Sequence, residues 1–340
     1  MLTFPIKRFI MTSRSKTVWL RGAGMKKGYV IGIDAGGTKV AYGLFDEQGK
    51  IIDRMQHPTD TDADGPAFSD TIIANIRVLL ERNKLTFAQV TGVGVCMPSF
   101  FLYEEGRVLM TSAMTKIKDF PMREYLSERL PTRVALDNDG NAAALAEHRH
   151  GAGRGAQHMV YIAIGTGLGS GIIIDGKLFH GSYGWAGECG HMLATPGSGV
   201  LCGCENPGCY MSYTSGKFFR DHVKLGLESG LPSTLTPDRA DGHHLIEACK
   251  KGDLLACQIL GQLGHYLAVC VYNIYQMLNI NTFVFGGGLV DFGDTLLGPV
   301  REEFDRYNKI PLPVYFKTAE LKKDFGIIGA AEFIREAGKE

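Results

Sequence analysis

The chain has 340 residues, 45% of them hydrophobic, enough to bury one large or two medium cores. Its 36 Lys and Arg balance 36 Asp and Glu, and this zero formal charge excludes an overall electrostatic pull toward nucleic acid or anionic membrane. The longest apolar stretch, Cys257 to Leu278, is interrupted by Gln258, Gln262, His265, Asn273 and Gln276, which reads as a buried amphipathic helix and not a membrane span.

Residues 1–25 carry Lys7, Arg8, Arg14, Lys16 and Arg21 without an acidic residue, and Met25 stands directly before a strand-like run. The segment reads as a disordered extension or an upstream start; a transit peptide shares the composition, whereas the continuous apolar run of a secretory signal is missing. Tyr29 to Asp34 and Tyr42 to Phe45 then read as strands around a glycine turn, and Thr71 to Leu85 as a helix on apolar spacing. Val90 to Val95 and Val134 to Leu136 are further strands, followed by a helix from Asn141 to His148. Met159 to Ile164, the turn Gly165 to Gly171 and Ile172 to Ile174 repeat the opening pattern about 130 residues later, which predicts two similar α/β lobes across a cleft. Helices near Leu245 to Leu278, the strand Thr282 to Phe285 and a closing helix from Gly326 to Ala337 complete the chain.

Five segments carry chemistry. Asp34-Ala-Gly36-Gly37-Thr38-Lys39 ends a strand, where glycines let backbone N–H groups approach a phosphate and Thr38 adds a hydroxyl. It has neither the Walker A nor the Rossmann spacing, and a plain hairpin is the alternative; Lys39 reads as a phosphate contact or a solvated cation. Gly165-Thr166-Gly167-Leu168-Gly169 is a second cradle in the matching position, and the pair strengthens the nucleotide reading. Asp34, beside the phosphates, would orient Mg2+ through water. Gly286, Gly287 and Gly288 at a strand end permit close backbone approach to an adenosine or ribose edge, as any tight turn also would.

Asn138-Asp139 follows a short strand and opens an alanine-rich helix. Phosphoryl transfer to a hydroxyl needs a carboxylate to accept the proton, and Asp139 is the candidate base, with helix capping as its alternative role. Asn138, Glu188 and His191 offer donors and acceptors suited to a polyhydroxylated ring. His191, Cys202, Cys204 and Cys209 supply one nitrogen and three sulfurs, the donor set of a closed, structural tetrahedral zinc site, with a disulfide or free thiols as the alternative. Cys96, Cys249, Cys257 and Cys270 stand among apolar residues as small buried hydrophobes do, and this usage points to a reducing, cytoplasmic setting.

Taken together, Asp34 to Lys39, Asn138-Asp139, Gly165 to Gly169, Glu188-Cys-Gly-His191, Cys202-Gly-Cys204 with Cys209, and Phe285 to Gly288 resemble the ROK family of sugar kinases and repressors over roughly residues 27 to 335. The resemblance implies a two-lobed actin-like ATPase (ribonuclease H-like) fold, ATP and Mg2+ as cofactors, a structural Zn2+, a sugar substrate contacted by Asn138, Asp139, Glu188 and His191, and a homodimer. The expected division is an extension at 1–25, a first lobe at 26–138 completed by a helix at 326–340, and a second lobe at 139–325 holding the zinc loop 188–211. Repressors of the family carry a DNA-binding domain of about 80 residues ahead of the first hairpin, and only about 25 unpatterned residues precede it here, so no nucleic-acid partner and no membrane is expected.

Three regions depart from the family pattern. Glu205 stands at a usual glycine and Met211 at the glutamate that commonly meets the sugar; Ala113-Met114 and Ile117 replace an Asn-Leu pair and a Trp; Pro98-Ser99 replaces Pro-Gly. Loss of a carboxylate and an amide predicts a pocket less polar at one end, better suited to a ketose, a deoxy or modified sugar, or a ring polyol than to glucose or N-acetylhexosamines. The alternative is that Glu205 takes over the missing glutamate's role.

Overall fold

The computed structural model describes residues 28–336; the basic extension at 1–25 and the part of the expected closing helix after Glu336 lie outside the described residues. Strands β1 (Tyr29–Ala35), β2 (Lys39–Phe45) and β3 (Ile51–Pro58) form an antiparallel meander, and α1 (Gly65–Arg82) follows. The helix starts at Gly65 and not at Thr71, because the Asp64 side chain caps it through the Ala67 N–H and Pro66 suits the first turn. β4 (Val90–Met97) then pairs parallel with β1. A small flap of β5 (Ser99–Leu102), β6 (Arg107–Thr111) and β7 (Lys118–Phe120) comes next, then α2 (Met122–Arg129), then β8 (Arg133–Asn138) parallel to β4. The first sheet therefore has the order β3-β2-β1-β4-β8.

From its end springs α3 (Asp139–His150), and a second sheet begins with β9 (Met159–Ile164), β10 (Leu168–Ile174) and β11 (Lys177–Leu178). The helices α4 (Tyr210–Thr214), α5 (Phe219–Glu228), α6 (Gly242–Lys250) and α7 (Leu254–Leu278) precede β12 (Thr282–Gly286). After α8 (Asp294–Tyr307) and β13 (Tyr315–Thr318), α9 (Phe325–Glu336) closes the described chain. The second sheet runs β11-β10-β9-β12-β13, the same antiparallel meander extended by parallel strands as in the first. The repeat seen in the two glycine turns is thus a repeat of topology.

α9 packs on β1 and β4 of the first sheet, α3 packs on β9 and β10 of the second, and the two helices pack on each other. Small residues permit the close fit: an added Cβ at Gly32 or Gly94 would fall 1.9 or 1.7 Å from an α9 carbonyl oxygen. The second core is built around α7, whose Leu263, Leu267 and Val271 are buried. α7 is long and apolar enough to cross a membrane, but half of that window is buried, with α4, α5, α6 and α8 packed against it. The helices expected near Leu245 to Leu278 are α6 and α7, with a break at Asp253, which caps α7 through the Ala256 N–H, and the apolar run Cys257 to Leu278 lies within α7.

Cys249 and Cys257 do not behave as expected. They form a disulfide across that break, with Cα atoms 4.8 Å apart, so cysteine usage no longer argues for a reducing compartment. Cys96 and Cys270 remain buried free thiols.

Candidate active site

Strand register builds the floor of the site. Asp34 on β1 lies beside Cys96 on β4, and Cys96 beside Asp137 on β8, a row at the carboxyl ends of parallel strands where α/β sheets present ligand sites. Asn138 and Asp139 come directly after it. The Asn138 Oδ1 caps α3 by accepting from Gly140 N–H at 2.7 Å, and its Nδ2 donates to the Ser99 carbonyl at 3.2 Å. Asp139 Oδ1 receives the same Gly140 N–H at 3.0 Å, so capping rests chiefly on Asn138, and Asp139 is half-buried at the helix start.

Both glycine segments are tight turns that join antiparallel strands, β1 to β2 and β9 to β10. In the first, Gly36 N–H donates to the Lys39 carbonyl at 3.0 Å, and Gly37 and Thr38 are exposed. Lys39 Nζ reaches Gln56 Oε1 at 3.3 Å, so its side chain leans along the sheet edge. In the second, Gly165 N–H donates to the Gly167 carbonyl at 3.0 Å and Thr166 is exposed; at Gly169 an added Cβ would meet open space. The Gly286-Gly287-Gly288 turn comes up against this second cradle, an added Cβ at Gly165 falling 3.7 Å from Gly288 N. Gly287 has φ +88°, where an L side chain is strained, and its Cβ would strike the Ile164 carbonyl at 2.5 Å.

Sequence reasoning missed the residues that hold the second cradle from behind. Gly216 N–H donates to the Gly165 carbonyl at 2.8 Å and Lys217 N–H to the Thr166 carbonyl at 3.2 Å. The only signal was a glycine following Thr214-Ser215, too common a pattern to stand out.

Two carboxyl groups from distant segments, Asp34 and Glu188, feel the charge of Asp139. Burial, and then the charge of Asp139, lifts the Asp34 carboxyl to about 6, while a Cys96 thiol contact and Lys39 pull it down. Burial and Asp139 likewise push Glu188 up to about 7. Burial raises Asp139 itself, against its backbone hydrogen bonds. A site where the charge of one carboxylate raises two others favours whatever brings positive charge or takes up a proton. The Cys96 thiol, fully buried, is pushed up by burial and then by Asp34, Asp139 and Asp137, which makes it a spacer and not a nucleophile.

Glu188 leads into a short 3-10 turn, Cys189–His191, and the chain then folds back on itself through bridges pairing Leu193 with Cys209 and Leu201 with Pro207. This return brings one donor atom each from His191, Cys202, Cys204 and Cys209 within 4.8 Å of one another. The three cysteines are free thiols, and the ring nitrogen turned to them is His191 Nδ1, 3.6 Å from Cys202 Sγ. One nitrogen and three sulfurs so arranged fit a tetrahedral metal ion, and they leave His191 Nε2 for another partner.

The ROK family model matches residues 30–337 of the chain. The protein belongs to the ROK family. Its relatives include a glucokinase of Halalkalibacterium halodurans, 30% identical over 92% of this chain and 96% of its own. Among solved structures, a ROK hexokinase from Thermus thermophilus superposes with a TM-score of 0.80 at 26% identity, over 92% of this chain and 99% of that one. A ROK glucokinase from Streptomyces griseus, determined with glucose and AMPPNP, gives a TM-score of 0.73 at 30% identity, over 91% and 100%.

In this ROK protein two of the unusual positions, Met211 and Ala113, lie against the glycine turns. The Met211 Cε lies 3.0 Å from where a Cβ on Gly190 would sit and 3.8 Å from one on Gly167, so the thioether fills the corner between the second cradle and the Glu188–His191 turn. Glu205 is exposed, with φ +67°, in the turn between Cys202 and Cys209, so it does not occupy that corner. Ala113 lies against the first cradle, 2.8 Å from a Cβ added to Gly37. Phe100 adds an aromatic edge, its ring 6.2 Å from His191 and 5.5 Å from Trp185.

Proposed function

We propose that this ROK protein transfers the terminal phosphoryl group of ATP to a hydroxyl of a hexose-like sugar, with Asp139 as the general base. The observation that carries the reading is the strand register that sets Asp34, Cys96 and Asp137 side by side with Asp139 at the following helix start, where the charge of Asp139 bears on both Asp34 and Glu188. Asp139 takes the proton from the acceptor hydroxyl, and a pKa raised toward the working pH suits a base of this kind. The turns from Gly36 to Lys39 and from Gly165 to Gly169, whose Gly36 and Gly165 N–H groups are engaged within the turns themselves, cradle the phosphates with their exposed tips, and Gly286 to Gly288 edge the nucleoside. Asp34 would orient Mg2+, which when bound neutralises developing phosphate charge. Asn138, Glu188 and His191 Nε2 hydrogen-bond the ring hydroxyls. His191 with Cys202, Cys204 and Cys209 would hold a structural Zn2+ that stiffens the turn carrying Glu188.

Full-length similarity to glucokinases and to a kinase solved with glucose and AMPPNP supports sugar phosphorylation. Met211 and Ala113 remove polar partners from the pocket, which favours a ketose, a deoxy or modified sugar, or a ring polyol. A cytoplasmic homodimer is part of the same reading. The test is ADP release with Mg-ATP across hexoses, ketoses, amino sugars and ring polyols, with Asp139→Asn as control. One strong acceptor lost in the mutant supports the kinase; bound ATP without turnover of any acceptor overturns it.

A further inference from the structure

His180 stands at a crossing that the proposed reaction does not use. Its Nε2 donates to Asp137 Oδ2 at 2.6 Å, and its ring stacks on Tyr103 with centroids 3.7 Å apart and planes 18° from parallel. Tyr103 belongs to the turn of the β5–β6 flap and His180 to the loop after β11 in the second sheet, so the stack joins the two halves. More contacts clasp the same place. Tyr103 N–H donates to the Tyr183 carbonyl at 3.0 Å, and Trp185 Nε1 donates to the Phe101 carbonyl. Gly184, at φ +106°, lets the flap approach, since a Cβ there would lie 2.8 Å from Tyr103 Cβ.

Asp137 is the other end of the relay. It is buried, and its Oδ1 accepts from Asn138 N–H at 2.7 Å and from Asn141 Nδ2 at 2.8 Å, while Oδ2 is committed to His180. One carboxylate therefore ties down residues on both sides of Asp139, and a side chain stacked on the flap fixes that carboxylate in turn. Errors of about 1 Å in the position of a base cost on the order of 100-fold in rate, so a group that sets this angle matters to chemistry it never touches.

We propose that His180 is a positioning residue, which couples the seating of the β5–β6 flap to the placement of Asp139 through Asp137. The proposal rests on the assignment of Asp139 as the base. A seated flap supplies the ring that holds His180 in line with Asp137; an unseated one leaves Asp137 with only its helix-side bonds. The base is thereby held in its working orientation when the flap covers the cleft.

The test combines kinetics of the full-length protein with hydrogen exchange of the 137–141 amides, in His180→Ala, His180→Gln, Tyr103→Leu, Tyr103→Phe and the His180→Ala/Tyr103→Leu double variant. His180→Ala should lower kcat about tenfold or more with the KM for ATP within about twofold of wild type, and His180→Gln, which keeps an N–H donor, should recover part of it. Tyr103→Phe keeps the stacked ring and should fall short of the loss seen in Tyr103→Leu. Tyr103→Leu should act in the direction of His180→Ala, and the double variant should be no worse than His180→Ala alone, because both break one chain. Exchange at 137–141 should quicken about tenfold in His180→Ala and Tyr103→Leu at unchanged global stability. Unchanged kcat and exchange in His180→Ala, or additive effects in the double variant, overturn the proposal. If the wild type releases no ADP with any sugar, the kinase reading fails, and the exchange results alone decide whether the relay exists.

Discussion

The negative charge of Asp139 reaches Asp34, and it is the second cause, after burial, that lifts the Asp34 carboxyl to about 6. Because the folded pKa stands above the ordinary value of 3.8, the folded protein favours the protonated acid. The stability this brings is present below pH about 3.8 and is lost as pH rises through about 6. Asp34→Asn should therefore melt with wild type at pH 4 and above it at pH 8, by a few degrees for a chain of this size. Differential scanning fluorimetry at the two pH values checks it; an Asn variant less stable at pH 8 would reverse the sign.

An alanine at Gly326, in the first turn of α9, would carry its Cβ to 2.3 Å from Asp34 Oδ2. The clash must move Asp34, since the helix is locked against β1 and β4. Gly326→Ala should cut turnover at least about tenfold while the expected helix-propensity gain, up to about 1 kcal/mol, is lost to the clash. Turnover within twofold of wild type would mean that Asp34 is free to step aside without consequence.

Met211→Glu returns a carboxylate to the corner between Gly167 and Gly190. A buried acceptor that meets a sugar hydroxyl discriminates by one or more powers of ten, so the KM for glucose should fall by about tenfold in this variant. Steady-state assays with glucose against the preferred acceptor measure it. Glucose turned over by wild type at a micromolar KM would remove the reason for the exchange.

Cys204→Ser replaces a thiolate of the four-donor cluster by a poor metal ligand. Metal content by mass spectrometry should fall from about one zinc per chain to well under half, with a lower melting temperature and weaker sugar binding through the Glu188–His191 turn. Wild-type metal content in the variant is incompatible with the proposed ligand set.

What could be read from the chain alone was local. Gly36-Gly37-Thr38 and Gly165-Thr166-Gly167 announce turns because their glycines free the backbone within a few residues, and their recurrence after apolar strands exposed the doubled topology. His191 with Cys202, Cys204 and Cys209 was legible because soft donors that close together have few other uses. The flap strands β5 to β7 and the two-residue β11 were not, since three to five residues are too short for a periodic signal. Nor could the chain report that Cys249 pairs with Cys257: cysteines among apolar residues look alike whether bonded or free, and only the turn between α6 and α7 sets their Cα atoms 4.8 Å apart. His180 on Asp137, Tyr103 on His180 and Gly326 under Asp34 join residues 43, 77 and 292 positions apart. Side-chain chemistry limits what such residues can do, but which of them meet is decided by strand order and register, and those arise only when both sheets close on α3 and α9.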